Sequence, residues 1–160
     1  MRAMSQANAT VDPSHLKSHI GFWMRIVSNA VSDTFARRLQ SSGVTVAEWV
    51  ILREMYGTQD ATSPSQVAAI TGLTRGAVSK LIERLLQKGL VTRNAARSDR
   101  RYQDIQLTRA ATTLVPKLAR LADVNDEEFF GVLSQVERRT LLAILKSMAT
   151  RHKLKRLPVE

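Results

Sequence analysis

The amino-acid sequence predicts a mainly α-helical protein with one small β-hairpin. Apolar residues recur at steps of three and four through most of the chain, which is the period of amphipathic helices. The period changes to two only after Gly89, as in strands with one buried face. A length of 160 residues, 44% of them hydrophobic, suffices for one domain with its own core.

The composition excludes several classes of function. The chain has no cysteine, which rules out disulfides, thiolate metal sites and cysteine-based oxidant sensing. It has no nucleophile elbow, phosphate-binding glycine loop or HExxH motif, so we predict no enzymatic activity and no cofactor. No apolar run approaches the ~18–20 residues that span a bilayer, and no secretory leader is apparent, so we expect a soluble, intracellular protein.

The N-terminal part predicts one long helix after a polar lead-in. Residues 1–12 are small and unpatterned and are expected to be disordered. A helix is then expected from Ser14 to Ser42-Gly43, within a segment spanning 13–44. Its apolar positions are Leu16, Ile20, Trp23, Val27, Val31, Phe35 and Leu39. At roughly 40 Å such a helix is too long for its own small domain to cover, and it requires a partner.

Three shorter helices follow, each with a recognisable start or stop. Thr45 is expected to cap a buried core helix that ends at Gly57. Ser63-Pro64 opens a short third helix that ends at Thr71-Gly72. Thr74 caps a fourth helix that stops at Gly89. The predicted inner stripe of this fourth helix is Val78, Leu81, Ile82 and Leu85.

The hairpin lies between the fourth helix and two C-terminal helices. Strands are expected at Leu90-Val91-Thr92 and from Gln103 to Leu107, on either side of a polar stretch. Two more helices are expected, from roughly Arg109 to Phe130 and from roughly Ser134 to Lys153, within a segment spanning 109–157. Pro116 weakens the middle of the first.

Two short helices joined by a tight glycine turn and followed by a hairpin predict a winged helix-turn-helix module over 45–108. The recognition helix is expected at 74–88 and the wing at 90–107.

The distribution of charge along the chain indicates a function for the same segment. The chain has 24 Lys+Arg against 14 Asp+Glu, a formal charge of +10, and eight basic but only two acidic residues lie among the 28 from Thr74 to Arg101. A polyanion, double-stranded DNA, is therefore the predicted partner.

The predicted contacts follow from the chemistry of the two grooves. Arg75, Ser79 and Lys80 offer hydrogen-bond donors on the outer side of the recognition helix, and Gly76 and Ala77 keep its first turn slim enough for the major groove. The hairpin arginines are expected in the adjacent minor groove. The full predicted DNA-binding set is Ser63, Ser65, Thr74, Arg75, Gly76, Ala77, Ser79, Lys80, Arg84, Arg93, Arg97, Asp99, Arg100 and Arg101.

The run SPSQVAAITGLTRGAVSKLIERLLQKGLVTR and the later SDRRYQDIQLT resemble the multiple antibiotic resistance regulator (MarR) family of bacterial transcription factors. The resemblance implies a cytoplasmic homodimer, with the first and last helices interleaved in a dimerisation region and two winged modules below. It also implies a pseudo-palindromic operator and repression relieved by a small ligand. Carried onto this chain, Arg100 or Arg101 enters the minor groove and Asp99 holds the wing arginines.

Members of that family often bind small aromatic or phenolic acids in a crevice between the dimerisation helices and the winged module. The candidates here are His15, His19, Trp23, Arg25, Trp49 and Arg53. An arginine suits a carboxylate and a tryptophan suits a ring, although either tryptophan could equally be a core residue. His15 and His19 share a helical spacing that can seat a metal, but they lack a third ligand, so we predict no metal site.

Two other functions stay open at the level of sequence. The first is a nonspecific architectural DNA-binding protein that uses the same positive charge. The second is a membrane-surface protein that presents the basic C-terminal helix to anionic lipid. The concentration of charge on the fourth helix and hairpin favours DNA, so we expect no membrane partner.

Overall fold

The computed structural model describes residues 12–58, 62–95 and 103–154. The predicted disorder of 1–12 therefore lies, apart from Asp12, outside the described residues. The helices are α1 (Ile20–Gln40), α2 (Val46–Thr58), α3 (Pro64–Thr71), α4 (Arg75–Gln87), α5 (Arg109–Phe130) and α6 (Gln135–Arg151). The strands β1 (Val91–Ala95) and β2 (Gln103–Leu107) lie between α4 and α5. The predicted fold class is confirmed: a mainly helical, winged helix-turn-helix chain.

The first helix is shorter than predicted. Instead of a continuous helix from Ser14, the chain forms a 3-10 turn, Leu16–Ser18, and His19 is extended before α1 begins. Side chains compete for the carbonyls that a helix would use: the Ser18 hydroxyl donates to His15 O (2.7 Å), and the Trp23 indole N–H donates to Lys17 O (2.9 Å). With 21 residues, α1 is about 32 Å long.

The boundaries of α3 and α4 agree with the predictions because they depend on local caps. The Ser63 hydroxyl accepts from Gln66 N, and the Gln66 side chain accepts in return from Ser63 N, with Pro64 in the first turn. Gly72 ends α3 in the left-handed region at φ +69°, a conformation that favours glycine. Thr74 then caps α4 by accepting from Ala77 N.

The wing is anchored at its base by hydrogen bonds to both neighbours. Strand β1 begins one residue later and ends three residues later than predicted, and it pairs antiparallel with β2 from Val91↔Leu107 to Ala95↔Gln103. Thr62, just before α3, exchanges backbone hydrogen bonds with Ile105 (2.9 and 2.8 Å), which joins the helix-turn-helix to β2. The Thr108 hydroxyl donates to Gly89 O (2.8 Å) and accepts from Ala111 N (3.2 Å), so one residue closes the hairpin and caps α5.

One core holds the winged module together. It comprises Leu39, Val44, Ile51, Leu52, Met55, Val67, Leu73, Val78, Leu81, Ile82, Leu85, Leu90, Val91, Ile105, Ala111, Val115 and Leu118. These residues come from the end of α1, from the α1–α2 junction, from α2 to β2, and from the first half of α5. By contrast, α6 contributes no buried residue, and the first half of α1 is exposed. Within the described residues, no helix is both long and apolar enough to cross a membrane.

Candidate nucleic-acid interface

The recognition helix α4 has one buried face and one exposed basic face. Its four buried residues, Val78, Leu81, Ile82 and Leu85, are the predicted inner stripe. The side chains of Arg75, Ser79, Lys80 and Arg84 are all exposed on the opposite side. The core thus fixes which side of the helix an external partner meets, and that side carries three cationic groups and a hydroxyl.

The N-terminal ends of α3 and α4 carry the other predicted contacts. Ser65 is exposed, whereas the hydroxyl of the half-buried Ser63 is already occupied by the α3 cap. Thr74 is exposed and caps α4, and Ala77 is half-buried. A Cβ at Gly76 would meet no heavy atom within 4 Å, so the fold itself does not require a glycine there. That open space leaves the first turn of α4 accessible to a close-fitting partner.

The wing contributes one described arginine to this surface. Arg93 projects from β1 towards α4, where its Nη2 lies 3.6 Å from Glu83 Oε2. Both side chains are partly exposed, so the pair contributes little stability but restrains the direction of the arginine. The predicted contacts Arg97, Asp99, Arg100 and Arg101 lie outside the described residues.

Comparison with known proteins identifies this arrangement. A model of the MarR family matches residues 42–101. A Thauera aromatica protein, named as a transcriptional regulatory protein for the hcr operon, is 26% identical over 134 residues, which cover 83% of this chain and 80% of that protein. The structure of Bordetella bronchiseptica BpsR, whose DNA binding is regulated by 6-hydroxynicotinic acid, is similar with a TM-score of 0.74 and 26% identity. It covers 86% of this chain and 98% of that one.

The winged module of this chain matches the MarR family over residues 42–101. Together with the regulatory relatives, this match supports a DNA-binding transcriptional regulator of the MarR type. Reduced MarR from E. coli shares the fold, with a TM-score of 0.72 and 21% identity over 81% of this chain and 96% of that chain. MepR from S. aureus, in a complex with DNA, does so with a TM-score of 0.74 and 23% identity over 83% and 98%.

The MarR-family module also contains a buried ion pair that the sequence did not suggest. Glu48, in the first turn of α2, has no exposed surface, and its carboxylate accepts hydrogen bonds from Lys88 Nζ at 2.7 and 2.9 Å. Burial raises the pKa of Glu48, but the hydrogen bonds from Lys88 and Thr45 outweigh it and lower the pKa below its ordinary value of 4.5. The Thr45-x-x-Glu48 spacing, typical of a capping box, is the sequence signal that could have identified Glu48.

That lowered pKa predicts an acid-dependent stability. Because Glu48 holds its proton less tightly in the folded than in the unfolded state, its contribution is complete above 4.5 and is lost as the pH falls through the lowered value. Glu48→Gln should therefore flatten the loss of unfolding free energy between about pH 6 and pH 3. Urea unfolding at several pH values measures this, and equal slopes for the variant and the native chain would contradict it.

The predicted ligand residues are not gathered in one cavity. Trp49 lines a cavity of about 220 Å³ between α1, α2 and α5, with Asp126 and Asn125. Arg53 lines another of about 300 Å³ between α2 and α5, with Tyr56 and Arg120. His15, His19, Trp23 and Arg25 line neither cavity and are exposed; Trp23 is half-exposed and so is not a core residue.

The Trp49 cavity is acidic and contains an unsatisfied amide. Asn125 is buried; its Nδ2 donates to Val31 O (3.3 Å), while its Oδ1 has no hydrogen-bond partner among the residues that the structure describes. Burial, followed by the nearby charge of Asp123, raises the pKa of Asp126. An anionic carboxylate is disfavoured beside these groups. The Arg53 cavity is lined by two arginines, Arg53 and Arg120, and one acid, Asp123, so its net positive charge suits an acid better. His15 and His19 flank the 3-10 turn instead of sharing a helical face, and among residues that the structure describes no three His, Asp or Glu side chains are placed to hold a metal.

Proposed function

We propose that this regulator binds a pseudo-palindromic operator as a homodimer in the cytoplasm and represses transcription until a small aromatic acid releases it. The observation that carries the proposal is the exposed basic face of α4, held by the core and bordered by a wing that Thr62 and Thr108 anchor. Arg75, Ser79 and Lys80 read base edges in the major groove. Arg84, Ser65 and the N-terminal turn of α4 contact phosphates.

The wing completes the contact in the adjacent minor groove. Arg93 lies at its base, with its direction restrained by Glu83. By similarity to the family, Arg100 or Arg101 enters the groove and Asp99 holds the wing arginines. We expect Arg97, close to them in the sequence, to contact phosphate. Narrow A·T-rich minor grooves concentrate negative potential, which favours inserted arginines.

Dimerisation is supported by apolar surface that one protomer leaves uncovered. The side chains concerned are Leu16, Ile20, Trp23, Met24, Ile26 and Val27 near the start of the chain, and Val136, Leu142, Ile144, Leu145 and Met148 on α6. Each is 40% or more exposed. Contiguous apolar patches on this scale mark protein interfaces. A second copy of the chain covers both patches and places two α4 helices about one turn of DNA apart, roughly 10–10.5 bp.

Footprinting combined with a salt titration tests the proposal. A dimer that neutralises about 6–10 phosphates should lose ~10³–10⁵-fold in affinity between 50 and 200 mM salt. One protected palindrome is expected. Uniform coverage would instead indicate an architectural protein, and salt-insensitive binding would contradict recognition through phosphates. Sedimentation with anionic liposomes, but no preference for any DNA, would indicate a membrane-surface protein.

The effector site is the cavity between α2 and α5. Arg53 and Arg120 supply two guanidinium groups against the single carboxylate of Asp123, Tyr56 supplies a ring, and Val115, Pro116 and Ala119 form an apolar wall. This combination suits a planar ring that carries a carboxylate. The similarity to BpsR, whose DNA binding 6-hydroxynicotinic acid regulates, supports the same class of ligand.

Loss of Arg53 should weaken the response to such an acid. In Arg53→Gln, about tenfold more 6-hydroxynicotinic acid should be needed to release the operator, because a charged hydrogen-bond donor is lost. Operator release and tryptophan fluorescence measure the response, and Lys117→Gln, on the exposed side of α5, is the matched control. If neither signal changes when the acid is added to the native chain, the effector site is wrong.

A further inference from the structure

Lys88 joins the end of the recognition helix to the junction of α1 and α2. It lies at the C-cap of α4, and its ammonium donates to three oxygens: Gly43 O at 2.7 Å, Glu48 Oε2 at 2.7 Å and Glu48 Oε1 at 2.9 Å. Both partners lie at least 40 residues away in the chain. We call Gly43, Glu48 and Lys88 the Lys88 clamp.

The acceptors of the clamp are themselves fixed. Glu48 Oε2 also accepts from Thr45 N (2.9 Å), and Glu48 N donates to Thr45 Oγ1 (3.2 Å), so the carboxylate is held by the cap of α2. Gly43 is in the left-handed region at φ +69°, which favours glycine and turns its carbonyl within reach of Lys88. The next residue, Val44, is buried in the core.

The hydrogen bonds of the Lys88 clamp constrain the orientation of α4 more narrowly than the apolar packing of that helix does. Apolar attraction is non-directional, whereas three charge-assisted hydrogen bonds with fixed acceptors favour one orientation of the helix. A buried ion pair is weak evidence for stability, because desolvation offsets much of the attraction between the charges. Its better-attested use is to select one arrangement among similar ones.

We propose that Lys88 and Glu48 are positioning residues, which set the orientation of the recognition helix relative to the α1–α2 junction and thereby its specificity for the operator. This inference rests on the proposed role of α4 in reading DNA. It assigns Lys88 no contact with DNA, although Lys88 is a partly exposed cation on that helix. Its ammonium has three acceptors within the protein, Gly43 O and the two carboxylate oxygens of Glu48.

Two variants separate positioning from phosphate contact. Glu48→Gln removes a negative charge, so electrostatics alone would tighten DNA binding; the clamp predicts weaker operator binding. The double variant Glu48→Gln/Lys88→Met keeps the net charge and leaves no unpaired buried ion. It should lose about tenfold in operator affinity and less than about twofold in affinity for nonspecific DNA, because only specific binding needs the correct register. The slope of affinity against salt should stay that of the native chain.

A control variant removes an exposed positive charge that lies outside the Lys88 clamp. Lys117→Met, which removes one exposed charge from α5, should leave the ratio of specific to nonspecific affinity unchanged. Circular dichroism and gel filtration establish that each variant is folded; should the double variant not fold, Glu48→Asp, which keeps the charge but shortens the reach, must lower the same ratio. A double variant that binds the operator like the native chain overturns the proposal, as does a salt slope reduced by about one, which marks a lost phosphate contact.

Failure of the clamp differs from failure of the proposed function. If the native chain shows no preference for any DNA sequence, the role of α4 is wrong. If the native chain binds an operator specifically and the clamp variants keep the same specificity, only the role of Lys88 and Glu48 is wrong.

Discussion

Replacing Arg75 and Lys80 together with alanine should weaken operator binding by at least roughly 10²-fold. Each good side-chain contact with a base edge discriminates by about 1–3 kcal/mol, and both side chains extend from the exposed face of α4. Neither has a hydrogen bond that holds the fold among those formed by the described residues, and alanine favours helix. The protein should therefore stay folded while specific binding is lost, as measured by titration of labelled operator.

The control for that variant is a substitution that removes a positive charge from a helix other than α4. Lys117→Ala removes one positive charge from the exposed side of α5, and it should change operator affinity far less than Arg75→Ala or Lys80→Ala alone. Nonspecific DNA, titrated in parallel, shows how much of the loss is simple electrostatics. If the Arg75→Ala/Lys80→Ala protein binds the operator with native specificity, these two side chains of α4 do not contact the base edges.

Replacing Leu145 with glutamate should separate the dimer and lower operator affinity by roughly 10²–10⁴-fold. Leu145 lies in an apolar stripe of α6 and is 41% exposed in the protomer. A second copy that covers this stripe would bury the new carboxylate without a partner. Because two linked recognition helices bind more tightly than either alone, the monomer loses the gain from bivalency. Analytical ultracentrifugation and operator titration measure the two effects.

The adjacent residue provides a matched control on the same helix. Lys146 is polar and exposed, and Lys146→Glu changes the charge by more than Leu145→Glu does. It should leave the protein dimeric. Dissociation of both variants would indicate that charge on α6, and not the apolar stripe, governs assembly; a dimeric Leu145→Glu protein would place the interface elsewhere.

The features that sequence predicted well are those with local causes. Ser63, Thr74 and Thr108 cap the helices that follow them through the backbone N–H three residues later, so three or four residues contain the whole interaction. The inner stripe of α4 follows in the same way from the period of a helix. These elements position the candidate DNA-binding surface, so the exposure of its α4 side chains could be predicted from local pattern; their contacts with DNA stay predictions.

The features that sequence missed depend on long-range or competing contacts. Lys88 and Glu48 are 40 residues apart, and although the Thr45-x-x-Glu48 spacing is typical of a helix cap, no sequence pattern pairs Glu48 with Lys88. The predicted start of α1 was wrong because the side chains of Ser18 and Trp23 donate hydrogen bonds to backbone carbonyls that a continuous helix would use. The spacing of apolar residues does not reveal such hydrogen bonds. The candidate ligand residues were chosen by type, and the fold separates Trp49 and Arg53 into different cavities.

Selection of bound sequences from random double-stranded oligonucleotides tests the central claim most directly. Two α4 helices related by a two-fold axis should select two inverted half-sites with centres roughly 10–10.5 bp apart. The clamp variants should lower the base preference across the whole motif, whereas Arg75→Ala should lower it only at individual positions within each half-site. Recovery of a symmetric motif with that spacing is the predicted result; recovery of no motif, or of a single unpaired half-site, would contradict it.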